Sequence, residues 1–70
     1  MATYLHMDTR VDYVDTIDID DGCVLSTYFY NDGRMPQTTT WPQADVDLFL
    51  SQDMWRRPPI DPRLVVSEGL

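Results

Sequence analysis

Two short triplets, Asp20-Asp21-Gly22 and Asn31-Asp32-Gly33, constrain the fold of this chain more than any other feature. Each ends in glycine after an acidic or amide residue. This is typical of three-residue hairpin loops, in which two residues lie near the right-handed helical region and the glycine is left-handed. The flanking segments are rich in β-branched and aromatic residues, and the first alternates apolar and polar positions. The sequence therefore predicts strands at about 3–7, 11–19, 23–30 and 34–41.

The two loops also predict the register of the sheet. A loop at 20–22 places Ile19 opposite Cys23. A loop at 31–33 places Phe29 opposite Met35. We expect the core face to carry Tyr13, Ile17, Ile19, Cys23, Leu25, Phe29, Met35 and Trp41. We expect the opposite, solvent-facing side to carry Asp12, Val14, Thr16, Asp18, Val24, Ser26, Tyr28, Tyr30, Arg34, Thr38 and Thr40.

The segment after the predicted sheet has the signals of a helix over about 41–55. Thr40 and Gln43 have the spacing of a capping box, and Pro42 suits a first helical turn. The stretch 44–50 also alternates, which leaves a strand open there. On a helical wheel the apolar residues form two sides, which predicts burial on both. These sides are Val46, Phe49, Leu50 and Met54, and Ala44, Leu48 and Trp55.

The predicted fold class is α+β, a small antiparallel β-meander of three or four strands with one helix packed on one face. We assign this domain to 1–55. Prolines at 58, 59 and 62 cannot continue a helix, so 56–70 is predicted to be a Pro-rich extended segment, in which 63–66 adds a short strand or packs over the helix. A chain of 70 residues has a thin core, which favours a partner subunit or a dimer.

Charge is the most unusual feature of the composition. Eleven Asp and one Glu against five Arg and no Lys give a net charge of −7. Such a field repels nucleic acid and anionic membranes and attracts basic protein surfaces. An alternative interpretation is that the acidity reflects genome composition or a salty cytoplasm and only keeps the chain soluble. No secretory signal or membrane span is apparent in the sequence, and we expect a cytoplasmic protein.

The aspartate-rich stretch 15–22 resembles a calcium loop only superficially. An EF-hand needs oxygen ligands at positions 1, 3 and 5 before a glycine at position 6. With Gly22 at position 6, Ile17 and Ile19 occupy two of those ligand positions. We therefore predict no metal site and no cofactor, and interpret the stretch as a hairpin turn with a solvated strand face.

Catalytic signatures are also missing from the sequence. Nucleophilic chemistry needs an activated Ser, Cys or Lys beside a base, and this chain has no Lys and a single His6 and Cys23. Cys23 is predicted to be a buried thiol, and His6 to make a structural hydrogen bond. The pattern R-x-x-P-x-x-P at 56–62 fits a polyproline ligand, but a linker after a helix also produces it. We predict no enzymatic activity.

The remaining function class is protein binding. Tyrosines two apart on one strand project together and supply binding area at a small loss of rotamer entropy, and acids around them suit an Arg- or Lys-rich partner. As a profile of size and charge, the chain is similar to stand-alone inhibitors from phages and mobile elements, anti-CRISPR proteins among them, and such a role implies blocking a basic nucleic-acid-binding surface of a host protein, as a DNA mimic does. The alternative is a structural or assembly protein, a homodimer that uses Val46, Leu50 and Met54 or an unpaired sheet edge. The candidate partner-binding residues are Asp12, Asp15, Asp18, Asp20, Asp21, Tyr28, Tyr30, Asp45, Asp47 and Asp53.

Overall fold

The computed structural model describes residues 1–59 and contains a five-stranded antiparallel sheet with one helix. The strands are β1 (Ala2–His6), β2 (Val11–Ile19), β3 (Cys23–Tyr30), β4 (Gln37–Pro42) and β5 (Trp55–Arg56), and the helix α1 spans Gln43–Ser51. The strand order is β4-β3-β2-β1-β5. This is a small α+β fold, as predicted, with one strand more than expected. The predicted packing of 63–66 lies outside the described residues.

The β2–β3 hairpin has the predicted register. Ile19 pairs with Cys23, and Tyr13 pairs with Phe29. The loop differs in one detail, because Asp21 at φ 66° and Gly22 at φ 70° are both left-handed. Aspartate is one of the few residue types that tolerate this conformation, so the turn still closes after three residues.

The prediction of the core face is wrong, because the helix covers the opposite face of the sheet. Val14 and Thr16 of β2 are buried, as are Val24 and Ser26 of β3. These side chains are small, so α1 can approach the sheet closely on their side. The larger residues of β2 and β3 that were predicted to form the core lie on the side away from α1, where Ile17 is 51% exposed.

A bulge in β2 contributes to this arrangement. The register shifts between Val11 and Tyr13, which makes Asp12 the extra residue of the strand. Val11 is therefore buried with Val14, although an uninterrupted alternation would place these two residues on opposite faces.

The strand predicted at 34–41 starts three residues late, at Gln37, and its register with β3 is shifted by one position. The loop after β3 runs from 31 to 36, longer than the predicted triplet, and leaves Met35 exposed. Cys23 pairs with Pro42 instead of Trp41, and Trp41 pairs with Val24. The shift moves Trp41 to the helix-covered face, where its ring contacts Phe49 with centroids 5.0 Å apart.

Helix α1 is shorter than predicted and packs on one side only. Pro42 occupies the N-cap position without a side-chain hydrogen bond, and Thr40 lies in β4, so the predicted capping box does not form. Val46 is buried against the sheet, whereas Leu48 on the other side is 49% exposed. Because Val46 is fully packed within the domain, it cannot supply the dimer contact that the sequence suggested.

Trp55 belongs to the sheet and completes the core. The chain turns after α1 through Asp53 at φ 58°, and β5 then pairs with β1 by placing Trp55 opposite His6. The Trp55 ring lies 5.6 Å from that of Tyr4 and 5.1 Å from that of Phe49, between centroids. This strand crosses the predicted domain boundary at residue 55.

Candidate binding surface

The sheet face away from α1, which we term the open face, carries an apolar stripe along the two central strands. Three cross-strand pairs form it, Tyr13 with Phe29, Ile17 with Leu25, and Ile19 with Cys23. The isoleucines at 17 and 19 are 51% and 41% exposed. The rings of Tyr13 and Phe29 stack with centroids 4.8 Å apart. A sheet covered on one side usually has a polar outer face, so these exposed residues are unusual.

Polar residues interrupt and border the stripe. Asp15 lies between Tyr13 and Ile17 along β2, opposite Thr27 of β3. The Thr3 hydroxyl donates a hydrogen bond of 2.7 Å to the Asp15 carboxylate, which fixes the position of that charge. The flanking strand β4 adds Thr38 opposite Thr27. The open face is thus an apolar stripe with one carboxylate in it and threonines at its margins.

The aspartates differ in their pairing between the two ends of the hairpin. At one end, Arg10 forms an ion pair with Asp8 at 2.8 Å and Arg34 one with Asp32 at 2.6 Å. Hydrogen bonds from these arginines hold the pKa of both carboxyl groups below the usual range. The Arg34 guanidinium also lies 4.6 Å above the Tyr30 ring.

The opposite end, which we term the acidic tip, consists of Asp18, Asp20 and Asp21. All three are exposed, and both ion pairs of the described residues lie at the other end of the hairpin. Helix α1 begins beside the tip, because its N-cap Pro42 pairs with Cys23. Asp45 in the first turn of α1 therefore adds a fourth carboxylate near this end.

The other predicted site residues are dispersed. Asp12 lies at the paired end and accepts a hydrogen bond from Asn31 at 3.1 Å. Asp47 accepts one from the Gln43 side chain at 3.0 Å, and Asp53 follows the end of α1. The structure therefore places Asp15 on the open face and Asp20 and Asp21 in the loop that ends it, whereas Asp18 lines the space beside α1 and Asp45 lies in the first turn of α1. The remaining aspartates of the set lie elsewhere.

Tyr28 and Tyr30 do not form the exposed aromatic face that the sequence suggested. Tyr28 is half-buried on the helix-covered side, where its hydroxyl accepts a 3.0 Å hydrogen bond from Trp41 Nε1–H. Burial raises the pKa of the Tyr28 phenol, although the Trp41 hydrogen bond opposes this. The ring also lies edge-on to Trp55 at 5.9 Å between centroids. Tyr28 is therefore partly buried against the core, and a role for it in binding remains a prediction.

A cavity of about 260 Å³ lies between the start of α1 and the sheet. Its walls include Tyr4, Thr16, Asp18 and Gln43, and among the described residues that line it Asp18 is the one carboxylate. The Thr16 hydroxyl is already occupied, since it donates to the Ala2 carbonyl at 2.9 Å.

The open-face residues were predicted to form the core, but Asp15 indicates that their face is exposed to solvent. Asp15 has the same alternation as Tyr13 and Ile17, so it lies on their face. Burying a carboxylate among apolar side chains is unfavourable. The face with Asp15 was therefore the better candidate for solvent exposure, despite its larger apolar side chains.

Comparison of the chain with protein-family models, curated proteins and solved structures finds no match. Across residues 1–59, no group of three His, Cys, Asp or Glu side chains is arranged to hold a metal ion. In the same part of the chain no helix is long and apolar enough to cross a membrane.

Proposed function

We propose that this chain is a small, acidic, non-catalytic protein-binding module that acts by occupying a basic surface of a partner protein. The observation that supports this most is the continuity of the open face with the acidic tip. Ile19 and Cys23 end the apolar stripe, and Asp20 and Asp21 follow immediately in the loop between them. The open face thus offers apolar area that a partner can bury, and the adjoining acidic tip offers negative charge.

The apolar part supplies affinity in this proposal. Exposed apolar patches on small proteins commonly mark interaction sites. Tyr13 and Phe29 supply aromatic area, a residue class enriched at interface cores. Covering Ile17 and Ile19 would also remove the largest exposed side chains of the hairpin from water.

The charge selects the partner. The net charge of −7 steers the chain toward basic surfaces over roughly 8 Å at physiological salt. Basic surfaces that normally hold nucleic acid are the chemically matched targets. We therefore propose a role as a stoichiometric inhibitor that blocks a nucleic-acid-binding host protein, of the kind that phages and mobile elements use, anti-CRISPR proteins included.

Capture experiments with matched variants test this function. Immobilised full-length chain is incubated with cell lysate at about 50 mM and about 500 mM salt. The variant Asp20→Asn/Asp21→Asn neutralises the acidic tip. The control Asp12→Asn/Asp53→Asn removes the same charge from the other end of the hairpin and from the end of α1. Asparagine tolerates the left-handed backbone of residues 21 and 53.

We expect a basic protein to be retained at low salt and lost at high salt, and the tip variant to reduce retention more than the control. Retention that ignores salt would refute an electrostatic partner. Equal losses in both variants would show that net charge, and not the tip, governs capture. No retained protein at low salt would contradict the proposed function.

Strand β4 favours a second candidate function, assembly as a homodimer. It lies at the edge of the sheet, and its six residues are uncharged, so two copies could pair there without bringing acids together. Light scattering across a range of concentrations tests this. A mass that stays monomeric, or a dimer unaffected by Thr39→Lys, would exclude pairing through β4.

A further inference from the structure

We propose that the open face is the docking site and that its occupant is a basic amphipathic helix of the partner protein. This inference rests on the proposed function and specifies the partner element that the site accepts. Bound there, the helix would form a third layer, so that the sheet would have one helix on each face.

The width of the apolar stripe fits one helix. Most of the stripe lies on β2 and β3, with Leu5 of β1 beside Tyr13 at one end, and adjacent strands lie about 4.8 Å apart. Threonines border it, Thr3 on β1 and Thr38 on β4. Two strands with their side chains present a width of about 10 Å, which is close to the diameter of an α-helix.

The length of the stripe sets the length of that helix. From the Tyr13–Phe29 pair to the Ile19–Cys23 pair is six residues, or about 20 Å of strand. At 1.5 Å per residue, a helix of about 13 or 14 residues covers this distance. The partner element is therefore a helix of about four turns.

The order of residues along the stripe predicts the pattern of the helix. Successive same-face positions lie about 7 Å apart, so Asp15 is about 7 Å from Tyr13 and about 7 Å from Ile17. On a helix, residues four apart rise about 6 Å along one face. An apolar residue, an Arg or Lys four positions later and an apolar residue four positions after that would meet Tyr13, Asp15 and Ile17 in turn. Further basic residues would reach Asp20 and Asp21.

Charge favours a separate partner over a second copy of this chain. Each copy carries a net charge of −7, so electrostatic repulsion opposes the association of two copies. The chain's own helix, α1, contains no basic residue. Within residues 1–59, Arg56 in the edge strand β5, opposite Leu5, and Arg57, over the Tyr4 ring, are the arginines outside the two ion pairs that a second copy could offer to Asp15. Self-association is therefore the competing outcome, and the experiment separates it.

The probe is a synthetic peptide of about 14 residues. One face of its helix carries Leu, then Arg four positions later, then Leu four positions after that, and further Leu and Arg lie beside them. A scrambled peptide of the same composition and a peptide with Glu in place of Arg are the controls. The full-length chain reports binding through Cys23, its single cysteine, which lies half-exposed at the end of the stripe. The readouts are the alkylation rate of Cys23 and backbone amide chemical shifts.

We expect the amphipathic basic peptide to slow Cys23 alkylation about fivefold or more and to shift amides of β2 and β3. Ile17→Thr should weaken binding about tenfold, and Asp15→Asn should reduce its salt dependence. Leu48→Thr is the matched control, because Leu48 is 49% exposed and Ile17 is 51% exposed. Both substitutions remove exposed apolar area, but only one lies on the open face.

Several results would overturn the docking site. These are equal binding of the scrambled or Glu peptide, amide shifts confined to α1, an alkylation rate unchanged at millimolar peptide, and a chain that dimerises with Cys23 protected before any peptide is added. The two proposals fail separately. A basic partner whose capture is lost in the tip variant but survives Ile17→Thr would leave the proposed function in place and exclude the open face as its site.

Discussion

Substitutions at Val14 and Ile17 test which face of the sheet is the core. Val14 is fully buried beneath α1, whereas Ile17 is half exposed on the open face. Val14→Ala removes two buried methyl groups, about 1.6 kcal/mol of transfer free energy, and leaves a cavity that adds about 1 kcal/mol. We expect a loss of about 2 to 3 kcal/mol. Ile17→Thr keeps β-branching on a half-exposed site and should lose less than about 1 kcal/mol.

Urea unfolding followed by tryptophan fluorescence measures both losses. With a slope near 1 kcal/mol per molar urea for so small a chain, the Val14→Ala midpoint should fall by about 2 to 3 M, and the Ile17→Thr midpoint by less than about 1 M. A Val14→Ala chain that is already unfolded in water would also show that Val14 lies in the core. Equal shifts, or a larger shift for Ile17→Thr, would refute the assignment of the buried face.

Three further predictions, two substitutions and one pH effect, follow from polar contacts. Ser26→Ala should raise the free energy of unfolding by about 1 kcal/mol, because among the described residues the Ser26 hydroxyl is buried without a hydrogen-bond partner. Tyr28→Phe should lower it by about 1 kcal/mol, because the indole N–H of Trp41 loses its acceptor. Burial lowers the pKa of His6, although the Asp8 charge opposes this, so the unfolded chain binds the proton more readily than the folded one. The contribution of His6 to the free energy of unfolding should thus be greatest above pH 6.5, the ordinary pKa of histidine, and should fall as the pH decreases through that value.

Thermal melts and urea titrations check the first two substitutions, and a lower melting temperature for Ser26→Ala would show that its hydroxyl is satisfied. The pH effect is measured between about pH 5 and pH 8 with His6→Gln as the control. That variant also removes the ring nitrogen Nδ1 that accepts the Asp8 backbone N–H at 2.9 Å. An identical pH dependence in both chains would assign the effect to other groups.

The sequence predicted the β2–β3 hairpin because its signals are local. A three-residue loop and a period-two pattern determine the register between Ile19 and Cys23 without reference to the rest of the chain. The buried face could not be obtained in the same way, because both faces carry apolar residues. Helix α1 packs on the side with small residues such as Val14 and Ser26, a choice that depends on close approach and not on total hydrophobicity.

The remaining differences have long-range causes. Strand β5 contains only two residues and depends on its pairing with β1, so no local sequence pattern predicts it. The longer loop before β4 shifts its register by one, which a prediction based on Gly33 as the loop end could not detect. The candidate binding surface was predicted only in part, since Asp15 and the tip aspartates were identified and the apolar residues beside them were assigned to the core.

The position of Trp55 determines the order in which this chain can fold. Pairing it with His6 joins residues 49 positions apart, while the β2–β3 hairpin closes across four. The longer closure is less favourable by about 2 kcal/mol of chain entropy, so we expect the hairpin to form first and the Trp55 cluster last. Until then both faces of the hairpin expose apolar side chains, which is the condition that favours aggregation of folding intermediates. The acids of the tip would then protect the hairpin before they meet any partner, because like charges keep partly folded chains apart.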